Sequence, residues 1–93
     1  MTDVASVAEF EIVNRLGLHA RAASQLVQVA AKFPCDIQIS RGGQVANAKS
    51  VMGVLLLCSP RGSRVRIEAR GEQSEAALAA LGDIIRAGFG EEE

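Results

Sequence analysis

The chain has one histidine, two cysteines, two prolines, three phenylalanines and neither tryptophan nor tyrosine among its 93 residues. Each scarcity closes off a class of function. Two cysteines are too few for a disulfide framework, and Cys35 and Cys58 read as buried thiols of a cytoplasmic protein. A single histidine, with both cysteines standing apart from it, supplies no metal-ligand set, so neither metal nor cofactor is implied. With Phe10 and Phe33 at core-like positions, no aromatic platform is left for stacking RNA bases. Ten basic against eleven acidic residues give a net charge of −1, which drives the chain toward neither nucleic acid nor membrane. No signal peptide and no apolar run of spanning length are seen, so no membrane insertion is expected. What remains is one small domain, residues 1–93 with an ordered core of about 7–89. Its apolar content of 48% builds an aliphatic core.

The sole histidine lies in Asn14-Arg15-Leu16-Gly17-Leu18-His19-Ala20-Arg21-Ala22-Ala23, directly ahead of a helical pattern. From Ala20 the apolar positions Ala23, Leu26, Val27 and Ala30 recur at i, i+3, i+4 and i+7, which predicts a helix over Ala20 to Phe33 ended by Pro34. Gly17 turns the chain before it, placing His19 at or beside the N-cap. Helix starts favour Ser, Thr, Asp or Asn caps and acids in the first turn. Here Arg15 and Arg21 flank the start, and no Asp or Glu occurs between Glu11 and Asp36. Cations at the positive end of a helix dipole call for an anion, and a phosphate fits. The positive potential also disfavours imidazolium and keeps the ring nucleophilic, so the phosphate can be bound covalently at His19. A lone histidine that merely caps the helix is the bland alternative. No acid neighbours it in sequence to suggest a Ser-His-Asp arrangement.

The stretch Gly17-Leu18-His19-Ala20-Arg21-Ala22-Ala23, followed by Lys49-Ser50-Val51-Met52-Gly53-Val54, resembles the HPr family of phosphocarrier proteins of the phosphoenolpyruvate-dependent sugar phosphotransferase system. The similarity runs from about Phe10 to Phe89, with two motifs at the family's spacing. The resemblance implies that His19 is phosphorylated on Nδ1 and that Arg21 contacts the phosphoryl group, which the backbone N–H groups of Ala20 and Arg21 at the helix start are placed to help bind. It implies enzyme I as donor and enzyme IIA-type domains as acceptors, with the protein a stoichiometric carrier and not an enzyme. One departure is Ala22, where the family usually has proline.

Taken in order, Met1 to Ser6 reads as a polar lead-in and Phe10 and Ile12 as strand positions alternating with Glu9 and Glu11. Cys35, Ile37 and Ile39 form a second strand. Arg41-Gly42-Gly43-Gln44 predicts a type I′ hairpin turn, returning as a strand over Val45 to Ala48. Gly43 to Ser50 is one residue short of a P-loop, yet its interior is that strand, so nucleotide binding is set aside. Ser50 reads as the N-cap of a short helix to Leu57. Val65, Ile67 and Ala69 alternate with Arg64, Arg66, Glu68 and Arg70 as a fourth strand. Ser74 caps a last helix with the stripe Ala77, Leu78, Leu81, Ile84 and Ile85, ended by Gly88. Glu91 to Glu93 read as a solvated tail. The order β-α-β-β-α-β-α predicts an α+β open-faced β-sandwich, a four-stranded antiparallel sheet covered on one face by three helices.

The Ser50 helix is apolar nearly all round, so part of it faces solvent as a contact surface. Val51, Met52 and Leu55 are the docking candidates, with Met52 and Leu55 expected to be exposed. The resemblance adds that partners dock on this helix and the first, and that Ser50 is a regulatory phosphorylation site where an HPr kinase/phosphorylase is present. The acidic end after Phe89 is similar to nitrogen-branch regulatory paralogues, which share the histidine motif. A non-enzymatic effector-binding domain of the same strand order is the reading of another class. A monomer is expected.

Overall fold

The computed structural model describes residues 5–91. Strand β1 (Ala5–Glu11) is followed by helix α1 (Ala20–Ala30), the hairpin of β2 (Asp36–Arg41) and β3 (Gln44–Asn47), and helix α2 (Val51–Leu56). Then come β4 (Arg64–Arg70), α3 (Ser74–Arg86) and a 3-10 turn, Gly88–Gly90. The strands lie in the order β1-β4-β2-β3, every neighbouring pair antiparallel. This is the expected open-faced sandwich.

Alternation in the strands decides which face meets the helices. Ile39 stands opposite both Ile67 and Ala46, Ile37 opposite Ala69, and Phe10 opposite Val65. With Val65, Ile67 and Ala69 fully buried, they form the floor of a core roofed by Ala22, Ala23, Leu26 and Ala30 of α1, Val54 of α2, and Ala77, Leu81 and Ile85 of α3. Gly82 is a packing position: a Cβ there would come 2.7 Å from the Phe10 ring, so only glycine lets α3 sit this low on β1. The opposite face is charged, with Glu68 bridging Arg66 at 3.3 Å and Arg70 at 2.5 Å.

Several boundaries differ from expectation for local reasons. β1 begins at Ala5, inside the stretch read as lead-in, because Ser6 pairs with Ala69 and its hydroxyl lies 3.2 Å from that of Ser74; Met1 to Val4 lie outside the described residues. Helix α1 ends at Ala30 and not at Phe33. Pro34 disfavours helical geometry at the residue before it. The chain unwinds through tighter bonds, Lys32 N–H to Val29 O and Phe33 N–H to Ala30 O, and Lys49 Nζ donates to the Phe33 carbonyl at 2.7 Å. The hairpin turns on Gly42 alone at positive φ, so it is not the type I′ turn that needs both glycines there. Gln73, at φ +65°, is the N-cap of α3, which leaves Ser74 free to tie the helix start to β1. Cys35 is buried but Cys58 is exposed. Cys58 sits at φ +50° just beyond α2, where Arg41 Nη1 donates to its carbonyl at 3.0 Å and satisfies the helix end.

Candidate functional site

The histidine loop is pinned before the helix begins. Gly62 N–H donates to Ile12 O at 2.7 Å and Ile12 N–H to Ser63 O at 2.8 Å, so the end of β1 is stapled to the segment leading into β4. Two steps further the chain folds on itself, Gly17 N–H donating to Asn14 O at 3.1 Å, and Leu18 N–H reaches Ser59 O at 2.9 Å. Gly17 takes φ +68° with its α-carbon pressed against Ser59 and Pro60. Leu18 is buried behind it. A turn and an apolar anchor thus aim the next residue.

That residue is the N-cap of α1. His19 is extended (φ −75°, ψ 179°), its carbonyl accepts from Ala23 N–H at 2.8 Å, and its ring makes no capping hydrogen bond. The N–H groups of Ala20, Arg21 and Ala22 are the first three of the helix, which have no acceptor within it. No acidic residue occupies the first turn. Ala22 is fully buried, and where the family usually has proline it keeps its N–H. Arg15 and Arg21 are exposed, and among the described residues neither has an ion pair. The cationic, donor-rich helix start expected from the sequence is therefore present.

The acid-free surrounding is not. Glu91, expected in a solvated tail, turns back onto the histidine, and its Oε2 is hydrogen-bonded to His19 Nε2. The same oxygen accepts from Asn14 Nδ2 at 3.1 Å, and Asn14 Nδ2 also donates to Gly17 O at 2.7 Å. The hydrogen bond from His19 holds the Glu91 carboxyl below the usual carboxylate range; burial opposes this and Asn14 adds to it. Glu92 and Glu93 lie outside the described residues. The return is made by Gly88, Phe89 and Gly90, at φ of +63°, +57° and +73°. Glycine adopts this conformation readily; at Phe89 it costs ~1–2 kcal/mol, offset by burial of the ring, which is 4% exposed. The two glycines flanking Phe89 permit this turn, but nothing local in the sequence pairs Glu91 with His19.

Ser50 is the N-cap of α2, its hydroxyl accepting from Gly53 N–H at 3.1 Å. Helix α2 packs beside α1. Met52 is 67% exposed, as expected, but Leu55 is half-buried against the core and Leu56, at 67%, is the second exposed apolar residue. Leu56 borders an open hollow beside Val45 and Ala46 of β3, while Leu55 turns onto the core. Val51 is half-buried. Arg61 lies in the shallow hollow that also holds Asn14 and Glu91, a proximity the sequence does not reveal. Among the described residues no group of His, Cys, Asp and Glu could hold a metal ion, and no helix is long and apolar enough to cross a membrane.

Fold and site together define a class: a small open-faced sandwich that presents one imidazole at a helix start with unclaimed N–H donors. The family model for the PTS HPr component phosphorylation site matches residues 7–87. The chain is 40% identical over 84 residues to the phosphocarrier protein HPr of Xylella fastidiosa strain Temecula1, covering 90% of this chain and 94% of that one. It is 42% identical over 94 residues to the multiphosphoryl transfer protein of Salmonella typhimurium, covering 98% of this chain and 25% of that one. The crystal structure of HPr-C-His from Thermoanaerobacter tengcongensis superposes with a TM-score of 0.91 at 41% identity, covering 95% of this chain and 99% of that one. The chain belongs to the HPr family, the phosphocarrier component of the phosphotransferase system.

Proposed function

We propose that His19 takes a phosphoryl group from phospho-enzyme I and passes it to enzyme IIA-type acceptors, with a transient phosphohistidine on Nδ1. The observation that carries this reading is His19 at the N-cap of α1, its ring outside the cap and no acid in the first turn. The N–H groups of Ala20 and Arg21 and the Arg21 guanidinium receive the dianionic phosphoryl group. A carrier needs a phosphoryl group held without burial, since a tighter site would stop transfer in either direction. His19 with 28% of its side chain exposed and Arg21 at the surface suit that requirement. Partners dock across α1 and α2, with Met52 exposed and Val51 half-buried on that surface, while Leu55 packs on the core; Ser50 is a regulatory phosphorylation site for an HPr kinase/phosphorylase. The protein acts as a cytoplasmic monomer.

The test is intact mass after incubation with enzyme I and phosphoenolpyruvate. One phosphoryl group is expected, lost in acid, stable in base and absent from His19→Ala. That variant loses no cap bond but does lose the contact with Glu91, so a thermal melt is used to establish that it is folded. Uptake persisting in His19→Ala would overturn the assignment.

A further inference from the structure

We propose that Glu91 is a positioning residue for His19, fixing the ring with its proton on Nε2 so that Nδ1 is the atom that takes the phosphoryl group. The inference rests on the phosphocarrier reading above and goes beyond it by giving a role to the far end of the chain. An ionised carboxylate only accepts hydrogen bonds. The contact between Glu91 Oε2 and His19 Nε2 therefore makes Nε2 the donor. In the neutral ring this leaves the lone pair on Nδ1, and among the described residues Nδ1 has no partner.

The carboxylate is itself held. Asn14, 2% exposed, donates to the same oxygen and to the Gly17 carbonyl, tying Glu91 to the loop that aims His19. The buried Phe89 ring and the left-handed turn of residues 88–90 fix the backbone that carries it. Asn14, Glu91 and His19 thus form a chain of donor, acceptor and donor, in which each member limits the rotation of the next.

The arrangement also suits the charge that develops in transfer. The Nδ1 lone pair forms the new N–P bond as the N–P bond of the partner's phosphohistidine breaks, and that electron pair returns to the partner's ring. The proton stays on His19 Nε2, and the ring passes from neutral to cationic. The Glu91 carboxylate lies across that N–H and stabilises the cation, as a buried acid does for an imidazolium elsewhere. Onward transfer reverses the change, with the electron pair returning to Nδ1.

Wild type, Glu91→Gln and Glu91→Ala should be compared by single-turnover phosphorylation with enzyme I and phosphoenolpyruvate, nitrogen NMR of the ring, and phosphorus NMR of the product. Thermal melts establish that each variant is folded. Wild type is expected to show a slowly exchanging Nε2 proton and phosphate on Nδ1. Glu91→Ala should lose that signal and slow by roughly tenfold or more. Glu91→Gln keeps an acceptor oxygen without charge, so it should retain the proton signal and recover part of the rate. Equal rates and equal ring spectra in wild type and Glu91→Ala would overturn this inference alone, as would wild-type phosphate on Nε2. Absence of phosphoryl uptake by wild type would overturn the phosphocarrier reading, and this inference with it.

Discussion

A Cβ placed on Gly17 would stand 2.5 Å from the carbonyl oxygen of Ser59, the same oxygen that accepts from Leu18 N–H at 2.9 Å. The contact explains why the residue two before the histidine cannot carry a side chain. At φ +68° an L-residue also bears the left-handed penalty of ~1–2 kcal/mol, and the overcrowded backbone contact adds ~1–3 kcal/mol. Gly17→Ala should therefore lower stability by both amounts in urea unfolding and move His19 off the helix start. Unfolding free energy within ~0.5 kcal/mol of wild type would show that the loop yields easily and that His19 is aimed by something else.

Arg21 presents the opposite case, a residue proposed to act only once a phosphoryl group is bound. It is exposed and has no ion pair among the described residues, so Arg21→Ala should leave stability within ~0.5 kcal/mol. A charged hydrogen bond to the phosphoryl group is worth ~1.5–3 kcal/mol. Single-turnover transfer to Arg21→Ala should then slow by about tenfold to a hundredfold without ceasing, because backbone donors remain. A wild-type rate would mean that the guanidinium does not touch the phosphoryl group.

Much of this was legible in the sequence, and the parts of the site that were not depend on contacts between residues distant in the chain. Strict alternation at Val65-Arg66-Ile67-Glu68-Ala69 and the cap at Ser50 depend on neighbours in the chain, and both stand as read. His19 at the N-cap follows from the glycine before it and the 3.6 period after it. Glu91 could not be found that way, because its partner is 72 residues distant and only the packing of Phe89 brings the two together. The reversal of Leu55 and Leu56 has a similar cause: in a six-residue helix that is apolar all round, composition does not say which residues meet the core. The early end of α1 was nearer to hand, since Pro34 acts on Phe33 directly.

The apolar surface on α2 yields a comparison of neighbours. Met52→Glu places a charge at a position 67% exposed and should weaken binding of enzyme I while changing stability by less than ~0.5 kcal/mol. Leu55→Glu puts the same charge at a half-buried position packed on the core and should be clearly destabilising, since an unpaired charge is costly there. Titration calorimetry and urea unfolding of the pair separate docking from packing. Equal destabilisation by both changes would place Met52 in the core.

Acid should release Glu91 from the histidine. The His19 hydrogen bond holds this carboxyl below its usual range, with Asn14 adding and burial opposing; Arg61 and Arg86 line the same hollow. A group depressed on folding stabilises the folded state above its unfolded pKa, near ~4.3 for glutamate, and that contribution disappears as pH falls through the folded value. Stability should thus drop below about pH 4 more steeply in wild type than in Glu91→Gln. Identical acid limbs in thermal melts of the two proteins would show that the contact contributes nothing to folding.

Ser50 is a structural cap, and the regulatory role proposed for it can be tested through charge at that position. Its hydroxyl accepts from Gly53 N–H at 3.1 Å, a cap worth ~1 kcal/mol, so Ser50→Ala should lose about that much in unfolding. Ser50→Asp keeps an acceptor and adds negative charge at a helix start, favourable by ~0.3–1 kcal/mol, so it should be at least as stable as wild type. Docking reads the charge differently. A partner drawn to Arg15, Arg21 and the start of α1 is expected to be acidic, and like charge across an interface lowers encounter rate and affinity. Helix α2 packs beside α1, so an acid at its start lies on the side such a partner approaches. Phosphorylation of His19 by enzyme I should therefore be slowed in Ser50→Asp and unchanged in Ser50→Ala. Added salt should narrow the difference, because screening at 1 M ionic strength shortens the Debye length to about 3 Å. The rates of the three proteins at low and high salt decide the matter: equal rates throughout would leave Ser50 as a cap alone. A deficit in Ser50→Asp that persists undiminished in high salt would point to steric exclusion of the partner and not to charge.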